Sequence, residues 1–310
     1  MVAQQLWRRL GQIVRPEPMA PWWQSHASYP CVLTRDDGLV DVYFSVRDSA
    51  NRSSVTRAVL DISDLSFHVV EAPTSPLLTP GARGTFDADG VTAGCVVNHD
   101  GRLHLYYLGW TVGGSVPFTN FIGLAIADPG ATAFTRYKAV PIVGRSEANP
   151  LTVGYPWVLP TAEGGLQMWF GSHLLWGAEG LQMEHVIKSA RSPDGLAWQA
   201  DQRTVVPLLG PTDSAEFAVS RPTVLREADG SLSMWYARRR PQYEIGFARS
   251  KDGMTWQRHD SAFTLVGEPG DWEMRERTYP CVFEHRGRRY MLYNGDGYGR
   301  TGFGLAVLEQ

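Results

Sequence analysis

Five tandem copies of one turn-and-strand pattern predict an all-β fold, a five-bladed β-propeller with four-stranded antiparallel blades. A recurring inner segment carries that expectation. It reads Tyr29-Pro30-Cys31-Val32-Leu33, Ala93-Gly94-Cys95-Val96-Val97, Tyr155-Pro156-Trp157-Val158-Leu159, Arg221-Pro222-Thr223-Val224-Leu225 and Tyr279-Pro280-Cys281-Val282-Phe283. Its anchors Pro30, Gly94, Pro156, Pro222 and Pro280 lie 64, 62, 66 and 58 residues apart, a spacing that marks a repeat architecture. The composition agrees, because 12 Tyr, 12 Phe and 11 Trp with 32 Gly and 20 Pro suit many short strands joined by tight turns.

Each unit runs in the same order. Behind the inner segment comes a turn signal, Asp37-Gly38, Asp100-Gly101, Gly164-Gly165, Asp229-Gly230 or Arg286-Gly287, of the kind a hairpin corner needs. An aromatic second strand follows: Val42-Tyr43-Phe44, Leu105-Tyr106-Tyr107, Met168-Trp169-Phe170, Met234-Trp235-Tyr236 and Met291-Leu292-Tyr293. A third strand comes next, as at 122–127 and 245–249. The turns Ser192-Pro193-Asp194-Gly195 and Ser250-Lys251-Asp252-Gly253 then lead into fourth strands opening at Trp198 and Trp256. The fifth unit ends on its third strand. Leu6-Trp7-Arg8-Arg9 resembles the segment around Trp256 and Arg258, so an N-terminal strand is expected to complete the last blade and remove an open edge. The expectation is one domain over 1–310, with blades near 26–80, 86–141, 150–207, 216–266, and 273–310 plus 5–15.

A net charge of −3 gives no basic excess for nucleic acid or a membrane surface. No segment reads as a signal peptide or a membrane span, which leads to the expectation of a soluble, cytoplasmic protein. Three cysteines give no disulfide framework. Cys31, Cys95 and Cys281 share one position in units one, two and five, and read as small buried residues rather than a metal site. No zinc, calcium, nucleotide-loop or nucleophile-elbow motif is present, so neither metal nor cofactor is expected.

If the inner strand descends the channel, residues just before it and those after the second strand gather at one mouth. Before the inner strands stand His26, Asp87, Asp89, Glu216, Arg221, Glu273, Glu276 and Arg277. After the second strands stand Arg47, Asp48, Arg52, Trp110, His173, Arg238, Arg239, Asn294, Asp296, Tyr298 and Arg300. Glycosidic cleavage needs a carboxylic acid and a second carboxylate. Asp89 and Glu216 are the candidate acid/base pair, with Asp48 or Glu276 tuning the local pKa. Arg47, Arg52, Arg221, Arg238, Arg277 and Arg300 would hold an anionic group on the substrate, or phosphate. Asp87, Glu273, Asp296, Asn294, His173, Tyr155 and Trp110 complete the expected substrate site.

The repeats, together with 44–53, 84–90, 216–222 and 293–304, resemble the five-bladed propeller superfamily of glycoside hydrolases, families 32, 43, 68 and 130 among them. The local motifs are most similar to a largely uncharacterised bacterial branch. The resemblance implies a carbohydrate or sugar-derivative substrate. Families 32 and 43 place an aspartate before the inner-strand proline in the first and third blades. Here those places hold Tyr29 and Tyr155, and the fourth holds Arg221, so the usual carboxylate triad does not map. Three readings follow. One is a glycosidase with relocated carboxylates, a second a phosphorylase or transferase using phosphate or a sugar phosphate, and a third a glycan-binding propeller without catalysis.

Overall fold

A computed structural model of the chain describes residues 3–63, 65–162, 164–178 and 183–309. The described residues are nearly all β, with short 3-10 turns and one helical turn, Asp296–Gly299. The inner strands are Ser25–Thr34, Gly90–His99, Val153–Pro160, Ala218–Arg226 and Thr278–His285. Each pairs antiparallel with a second strand, in turn Val40–Arg47, Arg102–Val112, Leu166–Trp176, Leu232–Arg239 and Arg288–Asn294. Third strands Ser53–Ser63, Phe118–Ala127, Met183–Ser192, Tyr243–Ser250 and Phe303–Leu308 follow.

Fourth strands Ser66–Glu71, Thr135–Arg136, Gln199–Val206 and Trp256–Arg258 close the first four units. In the fifth, Gln5–Val14 takes that place, with Trp7 opposite Leu308 and Arg9 opposite Ala306. Phe263–Val266, expected to end the fourth unit, instead pairs parallel along the outside of Gln5–Val14. The amino-terminal strand thus leaves an edge that this short segment covers.

Among the described residues, hydrogen bonding does not run round a closed ring. It divides into one five-stranded sheet and two eight-stranded sheets, and each larger sheet joins two units through one parallel bridge, Ser53 to Gly90 or His185 to Ala218. The inner strands nevertheless pack against one another in cyclic order, the last against the first. Because sheets stack face to face, second strands are covered on both sides. Val40–Arg47 and Leu232–Arg239 are buried at every position but the last, which explains why apolar side chains fall on both faces of these strands. Ser192 and Ser250 each accept from the following Asp and Gly amides, and Trp198 and Trp256 each donate to that glycine's carbonyl. These turns and tryptophans form one repeated corner.

The inner strand is bulged where its anchor dipeptide falls. Register shifts occur at Ser28/Cys31, Ala93/Cys95, Gly154/Trp157, Ser220/Thr223 and Thr278/Cys281. Tyr29, Tyr155, Arg221 and Tyr279 stand there at φ of 55, 59, 52 and 52°, the left-handed region that costs a bulky residue about 1–3 kcal/mol. A bulge re-aims the side chain. Here it sends the three tyrosine rings together at the centre.

Candidate functional site

Tyr29 and Tyr279 stack with centroids 4.2 Å apart, and Tyr155 lies 5.7 Å from Tyr29 and 6.4 Å from Tyr279. Asn294, buried at the end of its strand, accepts from the Tyr29 amide and donates to the Ala27 and Gly302 carbonyls. It therefore holds the strained Tyr29 backbone. Burial pushes the Tyr29 phenol up to about 12 and those of Tyr155 and Tyr279 well above the usual range, so all three remain neutral hydrogen-bonding groups.

These tyrosines line a cavity of about 320 Å³ at the mouth. Arg47, Asn51, Trp110, Val112, Pro117, Phe118 and Asn120 border it from the first two units, and Met183, His185, Arg239, Tyr243 and Tyr298 from the others. Arg47 lies 5.9 Å from the Trp110 ring centre and donates to Asn51. Trp110 is fixed by an indole bond to Ser53. Behind His185, His173 stacks at 4.8 Å. Burial lowers His185 to about 4 and drives His173 well below the ordinary histidine range, so both rings are neutral at pH 7. Among the described residues that line the cavity, none is a carboxylate.

Of the residues expected at the mouth or in the substrate site, Arg47, Trp110, Tyr155, Arg239 and Tyr298 line the cavity. Others are placed differently, each for a physical reason. Glu216 is buried and accepts from Arg238 and Arg258 and from the Leu209 amide. Asp87 accepts from Tyr107 and Arg136, and Glu273 from Tyr293 and Arg9. The three carboxylates share one arrangement. Arg136, Arg258 and Arg9 sit on fourth strands opposite Ala125, Ala248 and Ala306. Each ties the segment entering an inner strand to the outer edge of its own unit. These clasps hold Asp87, Glu216, Glu273 and Arg238 in bonds within their own units, off the cavity lining.

Arg221 is fully buried, and its guanidinium donates to the carbonyls of Gly94 and Pro30. It links the first, second and fourth units beside the buried, free Cys31, Cys95 and Cys281. Arg277 binds the Glu273 carbonyl. Asp296 accepts from the Arg275 and Glu276 amides, and Glu276 from the Gly297 amide. Asp48 closes a turn on Arg52. Arg300 is exposed and borders a separate groove with Gln12 and Trp272. Asp89 accepts from the amide of Val112 at the cavity rim, and Glu276 is close enough to Arg239 to favour its charge. No group of His, Cys, Asp and Glu among the described residues is arranged to hold a metal.

Tyr29, Tyr279, Tyr243 and His185 were not singled out as site residues, and Arg239 was expected at the mouth without an assigned role. The signal for the first two was the anchor itself, since the residue before each inner-strand proline is bulged towards the centre. For Arg239 the signal was strand alternation within Arg238-Arg239-Arg240. Arg238 and Arg240 both reach Asp213 on one face, while Arg239 borders the cavity on the other.

Uncharacterized protein MT1551 of Mycobacterium tuberculosis strain CDC 1551 is 41% identical over 303 residues, covering 98% of this chain and 99% of its own. The chain belongs to its family. Protein Rv1502 of strain H37Rv is a member with the same identity and coverage. No family model matches the sequence. In three dimensions the chain has the fold of the propeller glycoside hydrolases. A thermostable family-43 glycoside hydrolase superposes with a TM-score of 0.66 at 14% identity, over 96% of this chain and 91% of that one. A GH130 structure, from a family of mannoside phosphorylases containing glycoside hydrolases for β-1,2 mannosidic linkages, gives 0.70 at 14%, over 98% and 94%. A glycosyl hydrolase from Bacteroides ovatus gives 0.73 at 13%, over 98% and 94%. No helix of the described residues is long and apolar enough to cross a membrane.

Proposed function

We propose that this chain is a carbohydrate-active five-bladed propeller, one domain, whose mouth takes a sugar derivative bearing an anionic group. The cavity carries this reading, with tyrosine and tryptophan faces beside two guanidinium groups in about 320 Å³. That volume lies in the range of about 300–1,000 Å³ usual for small-molecule sites. Aromatic faces cover the apolar faces of a sugar ring, and guanidinium groups bind carboxylate or phosphate oxygens in pairs. The five cyclically packed inner strands support the blade count. The fold shared with glycoside hydrolases supports a glycan.

The lining favours phosphate-dependent cleavage or transfer over two-carboxylate hydrolysis. Hydrolysis asks for an acid and a base flanking the bond, whereas phosphate is its own nucleophile. Asp89 and Glu276 are the candidate carboxylates that stand beside lining residues, and one acid suffices to protonate a leaving oxygen. The test is a screen of neutral and acidic glycosides with and without phosphate. We expect sugar release that requires phosphate and falls at least about 100-fold in Asp89→Asn or Glu276→Gln. Release of free sugar without phosphate would restore hydrolysis. Binding without turnover would leave a glycan-binding propeller, and neither binding nor turnover would remove the carbohydrate reading.

A further inference from the structure

We infer that Arg239 is the receptor for the substrate's oxyanion, so the sugar carries its carboxylate or phosphoryl group on the Tyr243–Tyr298 side of the cavity. The inference rests on the carbohydrate reading above and assigns its charge to one residue. Arginines near the mouth differ in what they hold. Arg238 reaches Asp213, Glu216, Asp260 and Glu244, Arg52 binds Asp48, and Arg221 and Arg277 are bonded to backbone carbonyls. Arg239 forms no salt bridge and no side-chain hydrogen bond with the described residues, although Glu276 lies close enough to favour its charge. Its guanidinium instead lies 5.1, 5.2 and 5.9 Å from the ring centres of Phe217, Tyr243 and Tyr298.

Aromatic rings hold a guanidinium by its faces and by charge. They do not accept its in-plane N–H donors in the way a carboxylate does. Those donors need an oxygen partner, and the planar fork matches two oxygens of one oxyanion. Tyr298 is held beside Arg239 at φ 60°, after Gly297 at 64°, in a strained turn tied to the neighbouring loop, where Asp296 accepts from the Arg275 and Glu276 amides and Glu276 accepts from the Gly297 amide. This arrangement keeps a cation fixed at the cavity wall with its donors free. Arg47, opposite, already donates to Asn51, which makes Arg239 the better-prepared receptor.

Binding of glucose, glucuronate, glucose 6-phosphate and inorganic phosphate by ligand-observed NMR tests this, with the native protein, Arg239→Gln and Arg239→Lys. Melting curves establish that each variant is folded, and the lysine variant keeps the charge without the fork. The expected result is at least tenfold tighter binding of one acidic sugar than of glucose. In Arg239→Gln that preference falls to about one, and Arg239→Lys lies between. A preference that survives in Arg239→Gln would overturn the assignment, and so would equal binding of glucose and both acidic sugars by the native protein. Inorganic phosphate bound at Arg239 without acidic-sugar preference would also overturn it, in favour of a co-substrate. Failure of every sugar to bind would remove the carbohydrate reading along with it.

Discussion

Glu216 meets two guanidinium groups, a backbone amide and almost no water, and those surroundings decide what its carboxylate does. In sequence it resembled a catalytic acid, because an acidic residue six positions before an inner-strand anchor looks the same whether it faces a cavity or its own blade. The difference lies in Arg258, 42 residues away, and the clasp could be read only by aligning fourth strands as well as inner ones. Breaking a buried pair leaves uncompensated charge and costs about 3–5 kcal/mol. Asp213 and Asp260 remain beside the two arginines, which places Glu216→Gln near the lower end. Chemical denaturation should show a loss of about 3 kcal/mol, with sugar affinity of the folded protein unchanged. Unchanged stability with lost binding would return Glu216 to the active site.

At the scale of elements, the third unit carries a pH dependence. His173 near the end of its second strand and His185 on the third are stacked and neutral. Burial lowers His185 from 6.5 to about 4, so the unfolded chain binds a proton more readily than the folded one. The stabilising contribution is present above pH 6.5 and is lost as pH falls from 6.5 through about 4. For His185 alone that amounts to about 3 kcal/mol. Denaturation midpoints should decline over this window and decline less steeply in His185→Gln. An identical slope in the variant would show that His185 is not responsible. The repeated elements were legible: the anchors, hairpin turns and aromatic second strands lie where the spacing put them. Less legible was Phe263–Val266, whose partner is the first strand of the chain, because short pairing segments have no periodicity to read.

Over the whole molecule, the repeat fixed which ends of the strands share a mouth but not which side chains face inward. Residues such as Asp87 and Glu273 come close to the mouth in sequence and are drawn into their own units by Arg136 and Arg9. Tyr29 and Tyr279 reach the centre through a backbone bulge that no hydrophobic pattern reveals. Where the resemblance leads one to expect aspartates before the inner-strand proline, this chain puts a tyrosine stack and a buried arginine. The most direct measurement is a crystal structure with an acidic sugar, glucuronate, bound. The account predicts the ring against the aromatic faces of the mouth cavity and the carboxylate on Arg239. An empty mouth with the sugar bound elsewhere, for instance in the groove lined by Arg191, Asp201 and Arg203, would contradict it.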